Sequence, residues 1–201
     1  MARIPLSKSQ LTREKEGLAS YQRFLPALDL KRQQLMTERA RARRNIAELR
    51  DKLAAMPAEV GEAIPMLADR RIELSGLARV KAVKLGTQNV TGVRLPVVED
   101  VEIERTTYGY MVRPHWVDAL IDRLETALKL RVEVEIAERR LAVLERAVVR
   151  VTQRVNLFDK VLIPQARENI RRINVYLGDA ERAAVVGAKI AKRKRETQVT
   201  S

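Results

Sequence analysis

Apolar residues recur through the second half of the chain in steps of four and three. Leu130, Val134, Ala137, Leu141, Leu144, Val148, Val151, Val155, Phe158 and Leu162 form one such series. This is a heptad pattern, and it predicts a slightly underwound helix with all ten side chains on one stripe. Arg131, Glu133, Glu135, Glu138, Arg139, Arg140, Glu145 and Arg146 fall between them, as expected of a solvated flank. No Gly or Pro occurs over 116–163. Beyond Pro164 the stripe resumes at Ala166, Ile170, Ile173 and Leu177 and thins to Ala180 and Ala184. The steps from Leu162 to Ala166 to Ile170 are two fours in a row, a stutter that locally unwinds a supercoil. Pro164 removes one intrahelical donor and is expected to bend the helix without ending it.

The first half carries a matching stripe: Leu11, Leu18, Tyr21, Leu25, Leu28, Leu35, Ala42, Ile46, Leu49, Leu53 and Met56, with Arg32 and Arg39 in seam positions. Arginine can lay its stem along a seam and keep its head in water. Pro26 is expected either to kink this helix or to mark the start of its continuous part. Pro57, Gly61 and Pro65 are expected to break it. A short helix is predicted over 66–85, a loop over 86–92, and a small β-hairpin from 97–104 and the Thr/Tyr-rich 106–112. Pro114 suits the first turn of the second long helix.

Two aliphatic stripes in one chain must cover each other, because neither helix is stable alone in water. The fold expected is therefore all-α: a long antiparallel two-helix coiled coil with a small helix and β-hairpin insertion. The division is 1–56 for the first coiled-coil helix, 57–115 for the connecting region, and 116–201 for the second helix with its basic tail. The second helix would be on the order of 120 Å long, giving a rod with a small knob. If the chain folds back about its midpoint, facing residue numbers total roughly 200 within about two turns. Leu49 would then face 144–151, and Leu28 would face 170–177.

Composition agrees with long helices. Aromatic residues are 3% and charged residues 32%, with eight Gly and seven Pro, which suits a narrow aliphatic seam better than a globular core. The absence of cysteine excludes disulfides and thiolate metal sites and fits a reducing compartment. Residues 1–16 have no apolar stretch of the kind found in secretory leaders, and no window of 18 uncharged apolar residues predicts a membrane span. A cytoplasmic chain with no direct membrane insertion is expected.

Enzyme chemistry has little to work with. His115 is the sole histidine, and no phosphate-binding glycine motif occurs. His115 reads as a helix-start residue between Pro114 and Trp116. Glu99, Asp100, Glu102 and Glu104 read as a solvated strand face in preference to a metal site. No catalytic, cofactor-binding or metal-binding residue is assigned, and no cofactor. The net charge of +13 favours polyanions of some kind. A basic coiled coil binding nucleic acid through Arg39, Arg41, Arg43, Arg44 and the tail is one alternative, and an export-apparatus stalk is another. Nucleic acid is disfavoured because no recognition motif or aromatic stacking platform accompanies the charge.

One run is more specific than the heptads. Thr152-Gln153-Arg154-Val155-Asn156-Leu157-Phe158-Asp159-Lys160-Val161-Leu162-Ile163-Pro164 resembles the C-terminal signature of the D subunit of the V/A-type rotary ATPases, T-x-R-V-N-A-L-E-x-V-x-I-P. Thr152, Arg154, Val155, Asn156, Ile163 and Pro164 carry the match, with Ile170, Ile173 and Leu177 at the following family positions. Leu28, Lys31, Arg32 and Leu35 match a first-helix motif, L-K-x-K-R-D-x-L, while Asp29 and Gln33 depart from it. The acidic run that comes after the signature in the family is depleted here. The resemblance implies a central-stalk rotor subunit that passes torque between a nucleotide-binding ring and an ion-translocating membrane ring. It also implies partners: the catalytic A and B subunits of the hexameric ring, the F subunit of the rotor, and a funnel-shaped subunit above the membrane ring. Tyr108 and Tyr110 beyond the coil, and Lys192, Arg193, Lys194 and Arg195 in the tail, are the partner-contact candidates.

Overall fold

The computed structural model describes residues 5–68, 76–106 and 114–199, with side chains to Arg195. Helix α1 spans Lys8–Ala63; strands β1 and β2 span Ala78–Val90 and Val93–Arg105; α2 spans Trp116–Leu157 and α3 spans Ile163–Val199. A 3-10 turn, Pro65–Ala68, follows α1, and a π-helical turn, Phe158–Leu162, joins α2 to α3. The chain divides into two compact units, residues 1–30 with 151–201 and residues 31–150.

The start of α1 is set by Ser7. The Gln10 amide donates to Ser7 Oγ at 3.3 Å, and the Leu11 amide donates to the Ser7 carbonyl at 3.0 Å. These satisfy donors that the first helical turn would otherwise leave open. Pro26 lies inside α1, neither starting nor ending it, and Pro57 and Gly61 do not end it either. The helix stops at Ala63, before Ile64-Pro65, where proline disfavours helical geometry in the residue preceding it. Burial of Met56 and Ile64 offsets the local cost of Pro57 and Gly61.

In the unit formed by residues 31–150, two ion pairs fix the helix register. Arg43 Nη2 lies 2.6 Å from Glu145 Oε1, and Arg50 Nη2 lies 2.6 Å from Glu138 Oε1. Seven residues forward in α1 correspond to seven back in α2, as an antiparallel coiled coil requires. Leu49 is therefore level with Arg139, where it lines one surface with Ile136, Ala137 and Arg140, and does not face 144–151. In the other unit, Tyr21 packs edge-on against Phe158 with ring centroids 5.4 Å apart, and Asn169 Nδ2 donates to Glu14 Oε2 at 3.3 Å. Leu28, seven residues beyond Tyr21, is then level with Val151, and the expected facing of 170–177 is corrected. The fold-back is set by the helix ends Ala63 and Trp116, and these do not lie about the middle of the chain.

The connecting region differs from expectation in its pairing. Residues 78–85 are strand where a helix was predicted, and 86–90 continue that strand where a loop was predicted. Strand 97–104 lies within β2, but its partner is β1, from Ala78↔Arg105 to Val90↔Val93. Of the predicted partner segment, 107–112 lies outside the described residues. Thr91 and Gly92 form the two-residue turn with φ of 48° and 78°. Positive φ at both positions is the hairpin turn whose twist matches the strands, and a β-branched Thr is strained there. A Cβ at Gly92 would lie 3.4 Å from Lys31 Nζ, so the Lys31 side chain of α1 reaches the turn. Leu95 of β2 is fully buried, whereas most of β1 is exposed. A core of Ile64, Leu77, Trp116, Val117, Leu120 and Ile121 joins the end of α1, the approach to β1 and the start of α2.

Candidate functional site

The predicted seam residues are placed on the inner faces of the helices. Leu35 and Leu144 are fully buried, and Val148, Val151 and Val155 are buried. Leu28, Leu49, Leu53, Leu141, Phe158 and Leu162 are half-buried. The periodicity of α1 continues without interruption: Arg32 and Arg39 are half-buried in the same stripe.

The signature run divides by chemistry. Val155 and Ile163 are buried, Thr152 is half-buried, and Arg154, Asn156 and Pro164 are exposed. Its centre is the π-turn, in which the Ile163 amide donates to the Phe158 carbonyl. Such a turn adds a residue to the helix and rotates the residues after it. The buried position therefore passes from Leu162 to Ile163, and Pro164 is accommodated without ending the helix. The stutter at Leu162, Ala166 and Ile170 was the sequence signal of this feature. Leu157 and Val161 are about half exposed, so the outer face of the turn is unusually apolar.

Helix α3 continues well past the start of α1. Glu14 meets Asn169, α1 begins at Lys8, and every residue over 179–195 is exposed. Val185, Val186 and Ile190 are more than half exposed, and Lys192, Arg193, Lys194 and Arg195 come next on the surface. The other predicted contact residues, Tyr108 and Tyr110, lie outside the described residues.

Two cations of the facing strand pair with three carboxylates of β2. Arg79 Nη2 lies 2.8 Å from Glu104, and Lys84 Nζ lies 2.8 Å from Glu102 and 3.5 Å from Asp100. The hydrogen bond from Lys84 holds the Glu102 carboxyl below the usual range and raises the Lys84 ammonium. The Glu99 side chain lies over Gly86, where a Cβ would clash with it. At the hairpin base Arg105 reaches Glu125 at 2.5 Å and Asp122 at 3.0 Å on α2. Its hydrogen bond lowers the Glu125 carboxyl from the usual range. Among the described residues, no group of three His, Cys, Asp or Glu could hold a metal ion. Likewise, among these residues no helix is long and apolar enough to cross a membrane.

These features define a class: antiparallel helix pairs with a hairpin insertion and a bare helical terminus, whose distinctive surfaces are suited to contact with other proteins. The family model for the ATP synthase D subunit matches residues 10–193. The D subunit of a V-type ATP synthase from Borreliella burgdorferi is 34% identical over 192 residues, covering 96% of this chain and 95% of the relative. Proteins of the same name from Chlamydia felis and Chlamydia muridarum are 32% and 31% identical over 200 residues, covering 96% of this chain. The chain belongs to the family of ATP synthase D subunits, in its V-type branch.

Proposed function

We propose that this chain is the central-stalk rotor subunit of a V-type rotary ATP synthase. It passes torque between the nucleotide-binding ring and the ion-translocating ring and performs no chemistry itself. The observation that carries the reading is the family match across 10–193 on a chain whose two helical stripes pair antiparallel. Paired helices with interlocked seam residues resist bending and untwisting, because relative sliding would unseat every packed layer. The exposed end of α3, apolar at Val185, Val186 and Ile190 and basic beyond, suits insertion into the ring of catalytic A and B subunits. The hairpin end suits the F subunit of the rotor and the funnel-shaped subunit above the membrane ring. The chain is then cytoplasmic and peripheral, held at the membrane through its partners.

The partner assignment is tested by co-expression with the small F subunit of the same organism's rotor. One co-eluting species at micromolar concentration is expected in size-exclusion chromatography. Clean separation of the two chains contradicts the assignment.

A further inference from the structure

Within the unit formed by residues 31–150, the end of α1 and the start of α2 leave an open apolar groove of about 540 Å³. Leu53, Met56 and Val60 of α1 and Leu120, Leu124 and Leu128 of α2 form its floor. Spacings of three and four put each trio on one face of its helix. Leu67 of the 3-10 turn also lines the groove and is 37% exposed, and its neighbour Met66 is 57% exposed. A continuous apolar surface of this kind marks an interaction site, unlike apolar residues scattered singly.

Charge narrows the occupant. Arg123 and Arg131 line the same groove and are exposed, and neither has a carboxylate partner among the described residues. Elsewhere in this unit Arg43, Arg50, Arg79 and Arg105 hold carboxylates, but the others that lack one do not line this groove. Arg123 and Arg131 are eight residues apart, so they share one face of α2 at a spacing of about 12 Å. A strand or loop entering an apolar groove would leave backbone groups without partners, whereas a helix satisfies its own. A second copy of this chain would bring its own net charge of +13 toward Arg123 and Arg131.

We infer that this groove seats one amphipathic helix of a partner protein, with apolar residues at i, i+3 or i+4 and i+7 in the floor. Carboxylates seven or eight residues apart along one edge of that helix meet Arg123 and Arg131. The inference rests on the rotor-subunit reading, in which another stalk subunit supplies the helix.

The test uses the full chain co-expressed with its stalk subunits. Photoreactive benzoylphenylalanine in place of Leu67 is crosslinked in the purified assembly, and the attached peptide is identified by mass spectrometry. The expected peptide belongs to a stalk subunit, is helical, and carries carboxylates at that spacing. In parallel, Arg123→Glu with Arg131→Glu should weaken the same subunit's affinity at least tenfold. Its helix content and unfolding midpoint should match wild type, since both side chains are exposed. Attachment to a second copy of this chain, or to a non-acidic or non-helical segment, overturns the inference. Unchanged affinity in the double variant does so too and leaves the rotor reading standing. Failure of the unmodified chain to bind any stalk subunit refutes the rotor reading, and the inference falls with it.

Discussion

Leu30 and Leu35 are leucines of the same helix, five residues apart, and the seam assigns them opposite fates. Leu35 is fully buried and Leu30 is 55% exposed. Leu35→Ala removes three buried carbons, a transfer loss of roughly 2.5 kcal/mol at about 0.8 kcal/mol each. A residual cavity of some 40 Å³ adds about 1 kcal/mol at ~24 cal/mol per Å³. The expected cost is therefore about 3.5 kcal/mol. Leu30→Ala loses less than half of that transfer term and leaves no cavity, and alanine is slightly the better helix former. Its expected cost is below about 1 kcal/mol. Urea unfolding of the free chain, followed by far-UV circular dichroism, reads both variants through their midpoints at unchanged m. A gap of more than about 2 kcal/mol between them is predicted. Equal costs, or a Leu35→Ala variant as stable as wild type, would refute the placement of the seam.

Two further outcomes follow from the ion pairs. Since the native chain has no cysteine, Leu49→Cys with Ala137→Cys or Leu141→Cys should close one intrachain disulfide, while Leu49→Cys with Val151→Cys, displaced about 18 Å along the axis, should not. Closure of only the Val151 pair, measured by non-reducing electrophoresis and peptide mapping, would contradict the register set by Arg43 and Arg50. Arg105→Gln should raise the Glu125 pKa toward the ordinary value near 4.3, followed by carboxyl NMR titration. Because the folded value is depressed, the stabilisation contributed by this pair is present above that ordinary value and is lost as pH falls through the folded one. An ordinary Glu125 titration in the wild-type chain would show that the clamp does not form.

The seam was legible because a heptad repeat is local: each step of three or four can be read without knowing the partner. Antiparallel pairing followed from having two such stripes in one chain. The register was not legible. Arg43 and Arg50, like Glu138 and Glu145, repeat at seven residues, so sliding one helix by a heptad still leaves one opposite-charge pair facing. Pro26 and Pro57 were misleading because their cost is local, while the packing that offsets it at Leu28 and Met56 comes from elsewhere in the fold. The hairpin was half legible. The alternation at 97–104 marked a strand, but pairing is non-local, and Gly86 and Gly92 made 86–92 read as a loop. One of these glycines makes room for Glu99, and the other forms the turn. Among the partner-contact candidates, the exposed basic tail could be read directly. The apolar groove could not, because its two walls are about sixty residues apart in the chain.

The central claim is that this chain turns. A single exposed cysteine, Gln88→Cys on β1, can carry a gold nanorod on a complex immobilised through its nucleotide-binding ring. With ATP supplied, the account predicts unidirectional stepping rotation of the rod. A rod that stays fixed while the same complexes hydrolyse ATP would contradict it.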